Sequence, residues 1–83
     1  MKKIAYSKSA FKTLRKIPVP EAKRIMSKVE QYAKDPESLA GNVKHLKGSP
    51  FLRLRVADWR IIFDEDGNVL RILKIGARGN VYE

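Results

Sequence analysis

The chain has no cysteine, so neither a disulfide framework nor a thiolate metal site is open to it. It has one histidine, His45, the only residue type here that titrates near neutrality without help from its surroundings. No apolar run approaches the ~20 residues that cross a bilayer; stretches such as Ile61–Phe63 are far shorter. Met1-Lys2-Lys3 looks like the start of a secretory leader, but Lys8, Lys12 and Arg15 interrupt any apolar segment behind it. Acidic residues are scarce: 9 Asp+Glu stand against 18 Lys+Arg, a net charge of +9 on 83 residues. These shortages predict one complete, cytoplasmic domain over residues 1–83, with no membrane partner, metal or cofactor.

What is present is positive charge and enough apolar surface to fold around. Residues 1–42 carry 10 basic and 4 acidic groups, and residues 43–83 carry 8 and 5, so the charge is not a tail. The field favours polyanions: nucleic acid, an anionic membrane surface or an acidic protein. A hydrophobic content of 43% separates the chain from disordered basic segments.

Lys2–Tyr6 alternates and reads as a first strand. Ser7 is a good N-cap for a helix over Lys8–Ile17, with Phe11, Leu14, Ala10 and Ile17 as its apolar stripe. Pro18-Val19-Pro20 ends that helix and opens a second one. Spacings of three and four among Ala22, Ile25, Met26, Val29, Tyr32 and Ala33 predict an amphipathic helix over Glu21–Lys34. Asp35-Pro36 stops it, and a loop runs to Asn42. After the turn at Lys47-Gly48-Ser49-Pro50, residues 51–56 alternate with period two. Leu52, Leu54 and Val56 point towards the helices; Phe51, Arg53 and Arg55 point away. Ala57-Asp58 connects tightly to Trp59–Asp64, where Trp59, Ile61 and Phe63 share one face and Arg60 and Ile62 the other. Asp66-Gly67 signals a hairpin back into Val69–Ile75. A loop, Gly76-Ala77-Arg78-Gly79-Asn80, then leads to Tyr82. The expected fold is α+β: an N-terminal strand, a two-helix hairpin and a three-stranded antiparallel meander, with the helices on one face. The other face is left for solvent, partner or substrate.

In this order and spacing, the segments resemble the RelE/ParE superfamily of toxins from toxin–antitoxin pairs. The likeness rests on the lysine-rich N-terminal strand and helical hairpin, Leu46-Lys47-Gly48, the run from Leu52 to Phe63, and the ending Ile72 to Tyr82. The family's strand pair reads roughly R-x-R-x-G-D-Y-R-[IV]-[IV]-Y, with Ala57 here in place of glycine and Trp59 in place of tyrosine. The resemblance implies a metal-independent, ribosome-dependent mRNA endonuclease held inactive by an antitoxin, which the charge predicts to be acidic. In such enzymes the 2′-hydroxyl attacks the neighbouring phosphorus and leaves a 2′,3′-cyclic phosphate. The family's functional residues fall on Arg53, Arg60, Arg78 and Tyr82. Phe51 and Arg53 stand where nuclease members have lysine, and Ala77 where histidine is frequent.

The chemistry suits these residue types. Phosphoryl transfer needs aligned oxygens and stabilised charge, and guanidinium groups supply two-pronged donors to phosphate. Arg53 and Arg60 are the clamp; Arg78 is a candidate for the leaving oxygen; Tyr82 is suited to stacking on a base or orienting the 2′-hydroxyl. Arg55, Lys47, Lys74 and Phe51 are candidates for RNA contact. Lys47 and Lys74 serve as bases only if burial depresses them, and His45 lies where the family shows no catalytic residue. The bland alternatives stand beside these: solvated charges on an open sheet face, and Tyr82 as an aromatic closing the sheet edge. A ParE-like toxin that binds DNA gyrase, a catalytically impaired member, and a non-catalytic nucleic-acid-binding module are the other function classes.

Overall fold

A computed structural model of the chain describes residues 2–77. Five strands form one sheet in the order β1-β5-β4-β3-β2. β1 is Lys3–Tyr6, β2 Val43–His45, β3 Leu52–Val56, β4 Trp59–Asp66 and β5 Val69–Ala77. β1 pairs parallel with β5, and every other pairing is antiparallel. The helices are α1, Lys8–Lys16, and α2, Val19–Lys34, followed by a 3-10 segment, Pro36–Asn42. The expected strand, helical hairpin and meander are all present. The short strand β2 adds an unforeseen edge to the meander.

Local chemistry places each element. The Ser7 side chain accepts from the backbone N–H of Ala10 and starts α1, as its capping propensity predicts. Pro20 lies in the first turn of α2, where its missing N–H is not needed. β4 and β5 are joined through Gly67 and Asn68, with Gly67 at φ 61°. Glycine in a left-handed conformation at the first loop position suits the turn that keeps twisted strands in register.

The core lies between the helices and one face of the sheet. Ala10 and Leu14 of α1 and Ile25, Val29, Tyr32 and Ala33 of α2 pack on Leu54, Val56, Ile61, Phe63, Leu70, Ile72 and Ile75. Tyr32 meets the Phe63 ring edge-on, with centroids 5.1 Å apart. Two expected stripe residues are outside this core. Phe11 is 55% and Met26 41% exposed. Each lies next in sequence to a fully buried residue, Ala10 or Ile25, about 100° around its helix, and so flanks the contact line. The Phe11 ring lies under the Arg15 guanidinium, 5.9 Å from its centroid. Trp59, read as core, packs against the cluster while its indole Nε1 donates to Glu21 at 2.8 Å.

Two local departures bear on the open face. First, β5 continues through Gly76 and Ala77, which pair with Arg60 and Trp59, so the expected loop starts later than the glycine suggested. Second, Ala57 takes φ 53° in the β3–β4 turn. A side chain in that region costs about 1–2 kcal/mol, against about 0.5–1 kcal/mol of extra chain entropy lost by glycine. Ala57→Gly should therefore stabilise the domain by about 0.5–1 kcal/mol and raise Tm by roughly 2–8 °C. An unchanged or lower Tm in a thermal melt would show that the turn is unstrained.

Candidate nucleic-acid interface

The strand registers lay out the uncovered face row by row. Phe63 and Leu54 are core residues, so Ile62 and Arg53, their sequence neighbours, point the other way. Lys44 lies opposite Arg53, Arg53 opposite Ile62, and Ile62 opposite Lys74, giving one cross-strand row. The next row pairs Arg55 with Arg60 and Arg60 with Gly76. Ile62 is only 7% exposed yet stands outside the core cluster. It forms an apolar floor beneath the long cationic chains around it.

This arrangement is held against its own repulsion. Residues directly opposite on neighbouring strands are about 5 Å apart, and like charges there are destabilising. The Arg55–Arg60 pair is such a case. Arg60 folds back: its Nη1 donates to the carbonyls of Trp59 at 3.2 Å and Ala57 at 3.4 Å. Arg53 and Arg60 are diagonal neighbours on adjacent strands. Arg53 and Arg60 are half-buried, while Arg55 and Lys74 are exposed.

Two acids of β4, Asp64 and Asp66, share the face, and Asp64 is the nearer to the cationic rows. Asp64 lies opposite Arg71 across the hairpin, and Arg71 grips it with two hydrogen bonds, Nε to Oδ1 at 2.7 Å and Nη2 to Oδ2. Those bonds hold the Asp64 carboxyl below its usual range against the opposing effect of burial. The pair thus removes the negative charge nearest the cationic rows. Because the folded-state value is lowered, its stabilisation is present above the unfolded value near 4 and is lost as pH falls below that. Arg71 is 48% exposed, so solvent screening keeps the pair's contribution small. Asp64→Asn should be less stable than the parent at pH 7, and denaturant titrations should show that gap narrowing below pH 4. A gap independent of pH would contradict the assigned cause.

Phe51 is at the border of exposure, and Lys47 is exposed in the β2–β3 connection; neither belongs to the two rows. His45 lies opposite Leu52, which is itself opposite the core residue Phe63. The histidine therefore belongs to the helix side of the sheet, away from the arginines. Burial and the Glu30 charge push the Tyr6 hydroxyl up to about 12, and burial with Glu65 raises Tyr32. Both are hydroxyls rather than bases at neutral pH. Arg78 and Tyr82 lie outside the described residues. No cluster of ligating side chains suited to a metal occurs among the described residues, and no described helix is long and apolar enough to cross a membrane.

Sequence reading missed Lys44, because β2 is three residues long and carries no alternation to see. It also missed the Asp64–Arg71 pair, although a two-residue hairpin loop between Asp66 and Val69 places residues 64 and 71 opposite each other by counting.

The family model described as ParE toxin of type II toxin-antitoxin system, parDE, matches residues 4–82. No curated protein matches the sequence. Among solved structures, a chain of the archaeal RelE–RelB complex from Pyrococcus horikoshii OT3 is 24% identical, with TM-score 0.79 over 95% of this chain and 97% of that one. A chain of the intact E. coli RelBE toxin–antitoxin complex is 19% identical, with TM-score 0.72 over 96% and 100%. The YoeB/ParE toxin from Agrobacterium tumefaciens is 15% identical, with TM-score 0.75 over 92% and 98%. At these identities the structural likeness establishes the fold, and the family match covers both helices and, apart from Lys3, every strand described. The chain belongs to the ParE toxin family of type II toxin–antitoxin systems, within the RelE/ParE superfamily.

Proposed function

We propose that this toxin cleaves mRNA on the ribosome by internal attack of a 2′-hydroxyl, without a metal ion. The observation that carries the reading is the pair of cationic rows on the uncovered sheet face, with Arg53 and Arg60 on adjacent strands. The RNA's 2′-oxygen forms a bond to phosphorus as the P–O5′ bond breaks. Arg53 and Arg60 neutralise charge on the non-bridging oxygens, a role that guanidinium geometry favours. Arg78 neutralises the leaving 5′-oxygen, and Tyr82 stacks on a base or orients the attacking ribose. Arg55, Lys74, Lys47 and Phe51 contact the RNA around the scissile linkage. Arginine is not the base, since giving up its proton near neutrality costs about 7 kcal/mol. The 2′-proton passes to water or a ribosomal group, and the 5′-oxygen takes a proton as it leaves.

The exposed cations of α1 and α2, Lys8, Lys12, Lys16 and Lys23, together with the partly buried Lys28, steer the toxin to ribosomal RNA. Ribosome affinity should therefore fall steeply with salt. The same charge suits an acidic antitoxin segment that orders on docking; the RelE–RelB and RelBE structures are complexes of that kind.

A second reading, a ParE-like toxin that binds DNA gyrase, draws support from the ParE description of the matching family and from Phe51 at a position that is lysine in nuclease members. Purified protein added to translating ribosomes, with mRNA integrity read by primer extension, separates the two. Cuts within A-site codons support the nuclease. Intact mRNA with inhibited DNA supercoiling supports gyrase binding and removes the first reading.

A further inference from the structure

Along a regular strand, successive carbonyls point to opposite edges, so one neighbouring residue cannot collect two in a row. Ser7 does collect two from β5. Its backbone N–H donates to the Ile72 carbonyl at 2.8 Å, and its hydroxyl donates to the Leu73 carbonyl at 2.7 Å. The same hydroxyl accepts from the Ala10 N–H at 3.0 Å, so its proton and a lone pair are both engaged.

The double contact falls where the sheet register breaks. Phe63 lies opposite Ile72, but Ile62 lies opposite Lys74, so Leu73 is the extra residue of a β-bulge. The spacing of Leu70, Ile72 and Ile75, all buried, requires one extra residue between positions 72 and 75. That pattern alone permits two placements. With Leu73 as the extra residue, Lys74 stands opposite Ile62. With Lys74 as the extra residue, Leu73 would stand there instead, and the core would be unchanged.

We infer that Ser7 is a positioning residue for the cationic face: by holding the Leu73 carbonyl it fixes the bulge there and sets Lys74 opposite Ile62, in the row that contains Arg53. The start of α1, on the helix side of the molecule, thereby determines which side chain the opposite face presents. The assignment of Ser7 is independent of function; its consequence for RNA rests on the nuclease reading above.

Three variants separate the tether from helix capping. Ser7→Gly keeps most of the capping strength but has no hydroxyl for Leu73. Ser7→Thr keeps the hydroxyl, and Ser7→Ala loses both functions. NMR cross-strand contacts from Ile62 give a readout that needs no RNA. Ser7→Gly and Ser7→Ala should show weakened contacts to Lys74 and new ones to Leu73, and Ser7→Thr should match the parent. Wild-type contacts in Ser7→Gly would overturn the inference. Binding of a single-stranded oligoribonucleotide across salt concentrations gives the second readout. Lys74→Gln should lower the slope of log K against log salt by about 0.7 in the parent and leave it unchanged in a Ser7→Gly background. An equal drop in both backgrounds would also overturn the inference. A parent that binds no RNA defeats the nuclease reading, while the NMR contacts still decide the role of Ser7.

Discussion

Replacing Arg60 with alanine should lower mRNA cleavage by about 10²–10³-fold, the usual loss when one fixed donor to a developing anion is removed. Growth arrest should disappear with it. The protein should remain folded, because the bonds lost are two long contacts from Nη1 to the Ala57 and Trp59 carbonyls, together worth about 1 kcal/mol. Arg60→Lys should recover part of the charge effect but not the forked geometry, and should fall between the two. Arg53→Ala should behave like Arg60→Ala, since the two side chains share one face on adjacent strands. Antitoxin binding should be largely retained in each variant, which distinguishes loss of chemistry from loss of structure. Full toxicity of Arg60→Ala would remove the clamp from the mechanism.

The second large effect is on stability. Phe63 is 1% exposed, sits in a central strand and meets Tyr32 edge-on. Phe63→Ala should cost about 3–5 kcal/mol. A domain of this length holds roughly 4–12 kcal/mol in total, so the variant should be partly or wholly unfolded at 37 °C. Its toxicity should vanish without any change to the arginines. Phe63→Leu, which keeps most of the volume, should cost much less and remain toxic. Urea unfolding should show a lower midpoint for Phe63→Ala with a similar slope; a midpoint within error of the parent would mean the core does not pack as described.

The contrast between these variants shows what the two faces of the sheet do. One face supplies the burial that makes so small a domain fold, and the other carries the cationic rows around Ile62. Leu52, Leu54 and Val56 alternating with Arg53 and Arg55 made that division readable before any coordinates, because strand geometry allows no other outcome. The helix pair was legible through its three-and-four spacing and the proline break, although Phe11 shows that an apolar residue near the stripe need not join the core.

What escaped the sequence depended on register. β2 has three residues, and its partner is known only once Val43 is seen opposite Leu54. The bulge at Leu73 was written in the spacing of Leu70, Ile72 and Ile75. Its placement was not, because the Ser7 hydroxyl that selects it lies 66 residues away in the chain. Ala57 shows the reverse case. The resemblance marked the position as one where glycine is usual, and the backbone there does adopt a left-handed conformation.

The chemistry of the new RNA ends tests the central claim most directly. After the toxin acts on translating ribosomes, the upstream fragment should end in a 2′,3′-cyclic phosphate and the downstream fragment should begin with a 5′-hydroxyl, with both products missing in the Arg60→Ala reaction. A 3′-hydroxyl paired with a 5′-phosphate, or an mRNA left whole while cells still arrest, would contradict an arginine-clamped attack by the RNA's own ribose.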